Sequence, residues 1–144
     1  MKVLKQIRYG CGRQLRSTWF WPCALATTLV APAPAQAAAQ AYEDLQRYMQ
    51  EAQADSEQAD AYRAQALQAF QSNDRDSGCS ALSSAVRYYG RGISALGPAH
   101  MAATRQYVND PQTSIQNDRV VSRAEAELEQ EQRKMNQAYS KMCR

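Results

Sequence analysis

Gln40 to Gln71 reads QAYEDLQRYMQEAQADSEQADAYRAQALQAFQ, and within it Tyr42, Leu45, Met49, Ala52, Ser56, Ala59, Tyr62, Ala66 and Phe70 recur at steps of three and four residues. That spacing lines up side chains on one face of an α-helix, whereas a half-buried strand would alternate every second residue. The intervening Gln, Glu, Arg and Ala are good helix formers. The stretch therefore predicts one long helix, Gln40–Gln71, with a predicted inner face carrying those nine residues.

Downstream, Ser72-Asn73-Asp74-Arg75-Asp76-Ser77-Gly78 supplies turn formers and an acidic start for the next element. A second periodic face follows through Leu82, Ala85, Val86, Tyr89, Ile93 and Leu96, and Gly97-Pro98 is expected to stop or kink it. A shorter piece is expected from His100 to Val108. Asn109-Asp110-Pro111 then reads as a break, with Asp110 as cap and Pro111 at the first helical position. The last face uses Ile115, Val121, Ala124, Leu128, Met135, Ala138 and Met142, and Arg123/Glu127 and Glu129/Arg133 are set four apart for surface ion pairs.

Counting the segment on both sides of Pro98 as one rod gives three rods of similar length, roughly 45 Å each at the helical rise. Equal lengths and short connections predict an all-α fold, an antiparallel three-helix bundle with a kinked middle helix. The alternative is a helical hairpin with a separate arm, in which Gly97-Pro98 forms a true corner.

Upstream, Lys2, Lys5, Arg8, Arg13 and Arg16 form a positive stretch, and no acidic residue occurs before Glu43. An apolar run from Thr18 to Ala31 follows, shorter than the ~20 residues that span a bilayer. Ala35-Gln36-Ala37 then offers small residues at the spacing a signal peptidase accepts. Residues 1–37 are thus expected to be a cleaved signal peptide and residues 38–144 a helical domain, with no stable membrane anchor after cleavage and a periplasmic or secreted location. Cys11 and Cys23 lack the small residues that precede a lipidated cysteine. Removing five of the 17 basic residues leaves 12 against 14 acidic ones, a net charge of −2 in place of +3. A slightly acidic chain without a clustered basic face excludes nucleic acid as the expected partner.

Cleavage leaves two cysteines, Cys79 and Cys143. In an up-down-up bundle the start of the second helix and the end of the third share one pole, so an oxidising compartment predicts a Cys79–Cys143 disulfide. Closing so long a loop contributes roughly 4 kcal/mol on the chain-entropy model. No Cys-x-x-Cys spacing suggests redox catalysis.

Other candidate chemistry reads as structural, and no catalytic residue, metal ligand or cofactor is expected. His100, the single histidine, has no second histidine or cysteine near it and reads as a surface or capping residue. Glu125, Glu127, Glu129 and Glu131 alternate and so diverge on a helix. Glu131 alone falls near the apolar stripe, with Arg87 or Arg91 as its expected partner. Among the tyrosines, Tyr42, Tyr62, Tyr89 and Tyr139 lie on predicted inner faces. Tyr48, Tyr88 and Tyr107 do not, and beside Arg87 and Arg105 they form the expected protein-contact surface.

Ala85, Tyr89 and Pro98, in the stretch Ala66 to Pro98, resemble the second half of a tetratricopeptide hairpin. The first helix lacks that repeat's aromatic, leucine and glycine, and no second copy occurs at a period of about 34 residues, so the family is not assigned. What the resemblance implies is an adaptor hairpin. The reading that fits the residues best is an exported, non-enzymatic interaction or scaffold protein with a protein partner. A periplasmic chaperone or stress-response helical protein is the alternative and requires a broad exposed apolar concavity. Intact mass spectrometry of the exported chain without reductant is expected to give the mass of residues 38–144 less two thiol hydrogens. Two free thiols would overturn the bundle topology together with the bond.

Overall fold

The computed structural model describes residues 33–106 and 110–144. The signal-peptide expectation falls mainly on residues 1–32 and to that extent lies outside the described residues. Three helices account for almost everything else: α1 (Ala33–Gln71), α2 (Arg75–Arg105) and α3 (Pro111–Cys143), with no strand among the described residues. α1 starts ahead of the expected Gln40, but nothing from Ala35 to Gln40 is buried, and Ala41 is the first residue to enter the core.

The two connections follow from local chemistry. At the first, Asn73 takes a left-handed φ of 58°, a conformation asparagine tolerates better than most residues. Asp74 then caps α2 by accepting from the Ser77 N–H at 3.1 Å. The turn is tighter than the expected 72–78 segment, because Asp76, Ser77 and Gly78 already belong to the first turn of α2. Gly78 lets the Phe70 ring lie close: a Cβ on it would come within 2.6 Å of that ring, which would have to shift. At the second connection Asp110 caps α3 through the Thr113 N–H at 3.1 Å, with Pro111 in the first turn, as expected.

The expected stop at Gly97-Pro98 does not occur. α2 runs through Pro98 to Arg105, so the separate piece from His100 to Val108 and the corner of the arm model are both overturned. Proline leaves the Ser94 carbonyl without its helical donor and costs about 3 kcal/mol in a helix interior. Leu96 is buried before it, and Ala99, Ala102 and Ala103 after it, so tertiary packing holds both halves in one helix.

Neighbouring helices are antiparallel. Phe70 lies by Gly78, Asp60 bonds Tyr89 and Asp44 pairs with Arg105, so α2 descends as α1 ascends. Cys79 meets Cys143, Val86 meets Gln132 and Ala103 meets Ser114, so α3 runs back along the whole of α2. α2 is the central element, packed against both others. α1 and α3 join across it through the long side chains of Arg63 and Glu131, 3.3 Å apart. Glu131 therefore reaches Arg63 of α1 and not the expected Arg87 or Arg91.

The core is built on a period of seven. α1 buries Ala52, Ala59 and Ala66, and α2 buries Gly78, Ala85, Gly92 and Ala99, so the α1–α2 seam is made of small residues. Leu82, Tyr89 and Leu96 form the bulkier stripe beside it, and α3 adds Val121, Ala124, Leu128 and Met135. A sustained seven-residue repeat keeps such seams in register along shallow-angle helices. Gly92 is where all three helices come together: a Cβ there would lie 3.2 Å from the Ala52 carbonyl oxygen and 3.2 Å from Leu128 Cδ1.

Three residues assigned to inner faces by the sequence are exposed: Tyr42, Ile115 and Met142. Tyr42 lies beyond the Asp44–Arg105 pair, where α2 ends. Ser114, seven residues before Val121, takes the inward place instead of Ile115 and donates its hydroxyl to the Ala103 carbonyl at 2.8 Å. Met142 overhangs the first turn beside Phe70, Asn73 and Arg75, lining a shallow hollow.

Gly92→Leu is expected to lose roughly 1–3 kcal/mol by overpacking this crossing. Gly97→Ala, where nothing lies within 4 Å of the added Cβ, should leave stability unchanged or slightly raised. Urea midpoints of the two oxidised variants distinguish the sites.

Candidate functional site

The seam that buries Gly78, Ala85, Gly92 and Ala99 divides the surface of α2. Cys79, Val86 and His100 fall on the side that meets α3, and Tyr88, Arg91 and Arg105 fall on the other. On α1, Tyr48, Asp55 and Tyr62 recur every seven residues and lie across from that second group. The α1–α2 pair thus has one side covered by α3 and an opposite side furnished with tyrosines and arginines.

Two clusters occupy the open side. In the first, the Tyr62 and Tyr88 rings stack with centroids 5.4 Å apart and an interplanar angle of 25°. The Arg91 guanidinium lies 5.0 Å from the Tyr88 centroid and that of Arg87 5.8 Å. Arg91 also pairs with Asp55 at 3.5 Å, whereas Arg87 makes no ion pair among the described residues. In the second cluster Arg47 lies 4.8 Å from the Tyr48 centroid, and Asp44 holds both Arg47 at 3.1 Å and Arg105 at 3.5 Å. Exposed ion pairs and cation–π contacts contribute at most about 1 kcal/mol each, so these arrays orient side chains more than they stabilise the fold.

Of the five residues expected at a partner surface, the structure brings Tyr88 and Arg87 together, and separately Tyr48 and Arg105 by way of Arg47 and Asp44. Tyr107 lies outside the described residues. Tyr62, assigned to the core by its spacing, and Arg91, assigned to Glu131, join the first cluster instead. The seven-residue repeat of Tyr48, Asp55 and Tyr62 was the signal that could have placed them.

A part-buried polar contact joins α1 and α2 near the middle of the molecule. The Tyr89 hydroxyl donates to Asp60 Oδ1 at 2.6 Å, with the Tyr89 ring fully inside. Burial, and then the hydrogen bond and charge of Asp60, push the phenol well above its ordinary pKa.

His100 lies partly exposed at the surface edge between α2 and α3, and it is partnered. Its Nδ1 is 2.7 Å from Asp118 Oδ1 and its Nε2 is 3.1 Å from Glu125 Oε2, so one imidazole spans two carboxylates of α3. Burial lowers its pKa, but the hydrogen bonds and charges of Asp118 and Glu125 outweigh that and hold it above the ordinary value. Asp118 and Glu125 are seven residues apart on one face, a spacing visible in the sequence, but their partner became evident only once α3 was laid against α2. At the same pole the Asn117 amide donates to Gln106 Oε1 at 2.7 Å.

Among the described residues, no group of three His, Cys, Asp or Glu is placed to hold a metal ion. The two carboxylates beside His100 approach opposite ring nitrogens and do not converge. No described helix is long and apolar enough to cross a membrane. Cys79 and Cys143 form the expected disulfide, with sulfurs 1.97 Å apart and Cα atoms 5.6 Å apart. Compared with known protein families, curated proteins and solved structures, the chain matches none.

Tyr89→Phe leaves the Asp60 carboxylate without its buried donor and is expected to cost about 1–3 kcal/mol. In an alkaline absorbance titration, one phenol of the folded protein should ionise only together with unfolding, and that late step should be missing in Tyr89→Phe.

Proposed function

We propose that this chain is an exported periplasmic protein of non-enzymatic interaction or scaffold type, whose partner is a protein that docks on the open side of the α1–α2 pair. The observation that carries this reading is the Tyr62–Tyr88 stack flanked by Arg87 and Arg91. Aromatic and arginine side chains dominate the energetics of protein interfaces, because they bring large contact area and charge-assisted bonding at a modest cost in side-chain ordering. Here the rings are half-buried, and the free guanidinium of Arg87 already lies against one of them.

Export is supported from two directions. The long-range disulfide is compatible with an oxidising compartment. Among the described residues, burial in the core also begins at Ala41, just after the expected cut. A rigid body fits a scaffold: three long helices closed at one pole by a covalent bond present the open side on a backbone that does not need to reorganise on binding. Apolar side chains that reach solvent, such as Leu67, Met101 and Ile115, are spread over all three helices and lend no support to the chaperone alternative.

The test is site-specific photocrosslinking in the periplasm. A crosslinker at position 87 or 91 is expected to give a discrete protein adduct, and one at Arg123 on α3 should not. With the crosslinker at position 91, combining Arg87→Glu with Tyr88→Ser should abolish the adduct while leaving the helical circular dichroism unchanged. Equal capture from both sides, or capture indifferent to the double variant, would remove the assignment.

A further inference from the structure

The two ends of α3 are held by different chemistry. Its C-terminal end is tied by the Cys79–Cys143 bond and by Arg75 donating to the Met142 carbonyl at 2.9 Å. The N-terminal half buries Ser114, Val121 and Ala124, with Val120 partly buried, while the bulkier Leu128 and Met135 belong to the C-terminal half. Polar contacts therefore carry a larger share of attachment near the N-terminus, and the His100 bridge spans the width of that half, from Asp118 to Glu125.

The bridge has a property that neither carboxylate contact has alone. An imidazolium has two N–H donors and satisfies both oxygens at once. A neutral imidazole has one. Whichever tautomer remains, the other ring nitrogen turns a lone pair toward a carboxylate 2.7 or 3.1 Å away, so loss of the proton replaces an attraction with two facing acceptors. We propose that His100, held between Asp118 and Glu125, is a pH-operated latch that fixes the N-terminal half of α3 against α2 and loosens it when the imidazole is neutral.

The surroundings leave this role to His100. Among the described residues it is the only cationic group within 4.0 Å of either carboxylate. On α2 itself, Thr104 bonds the His100 carbonyl and leaves the ring free. The nearest ion pair from α1, Asp44 with Arg105, lies on the opposite side of α2. Because the folded-state pKa is raised, the attachment is fully present below the unfolded value of about 6.5 and is lost as pH rises through the folded value. Because the chain joins α2 to α3 between Gln106 and Asp110 and the disulfide holds Cys143, the loosening is a local separation of residues 111–125 from α2 between two covalent ties, over the stripe around Leu96 and Ala103. The latch is independent of the interaction reading above and stands or falls separately.

The experiment uses the oxidised chain from residue 38 onward. Proton NMR titration of the single histidine is expected to give a pKa above 6.5. Hydrogen exchange, corrected for the intrinsic pH dependence of the rate, should accelerate in residues 111–125 between pH 6 and 9, by up to about tenfold for each unit of pKa elevation. Residues 126–143 and α1 should change little. His100→Gln is expected to abolish this pH dependence and hold exchange at the high-pH level, and replacing both carboxylates by Asp118→Asn and Glu125→Gln should return the histidine pKa to its ordinary value. A wild-type pKa at or below 6.5 overturns the proposal without recourse to any variant. So does pH-dependent exchange in residues 111–125 that persists in His100→Gln.

Discussion

The crossing at Gly92 sets the distances on which the rest of the molecule depends. There the Ala52 carbonyl of α1 and the Leu128 side chain of α3 both approach to 3.2 Å of the place a Cβ of α2 would take. A seam of alanine and glycine lets the α1 and α2 backbones approach closely, and the bulk needed to fill the interior is moved one position around the helix, to Leu82, Tyr89 and Leu96. Such a seam has little apolar area per residue, so its stability comes from length and close fit. That explains why α2 keeps a proline at position 98 without breaking: several buried positions on each side of it act together.

Small residues on one seam also shape the periphery. With α1 drawn against α2, the tyrosines of the flanking stripe cannot enter the core completely, and Tyr62 and Tyr88 stack at its edge with arginines beside them. The same geometry leaves α3 to lie in the groove on the other side, where Glu131 reaches across to Arg63 of α1. α3 consequently relies on fixings along α2. The disulfide secures one end, a hydroxyl and a backbone carbonyl meet at Ser114, and between them lies a histidine whose two contacts both depend on its proton. α3 is joined covalently to α2 at both poles, by the short connection at one and by the disulfide at the other, so the polar contacts of its first half can loosen without any change in the α1–α2 pair.

That arrangement suits the interaction role proposed above. The side carrying the arginine–tyrosine clusters belongs to the most tightly packed pair of helices, so it is held rigid whatever α3 does. Specific recognition gains from such preorganisation.

Local chemistry decided much of the architecture. The three helices, the Asp74 and Asp110 caps, the break before Pro111 and the pairing of Cys79 with Cys143 all follow from periodicity, capping residues and the order of elements, which are properties of neighbouring residues and chain topology. Tertiary packing decided the rest. Pro98 is tolerated because Leu96 and Ala99 are buried against other helices, a long-range gain no local rule records. Ser114 displaced Ile115 from the core because the inward face of α3 is set by its lateral position on α2. Glu131 found Arg63, and His100 found Asp118 and Glu125, because side-chain partners across a bundle depend on the rotation of each helix about its axis. A sequence period identifies a helical face, but the angle at which that face meets its neighbours is fixed only when the small-residue seam closes.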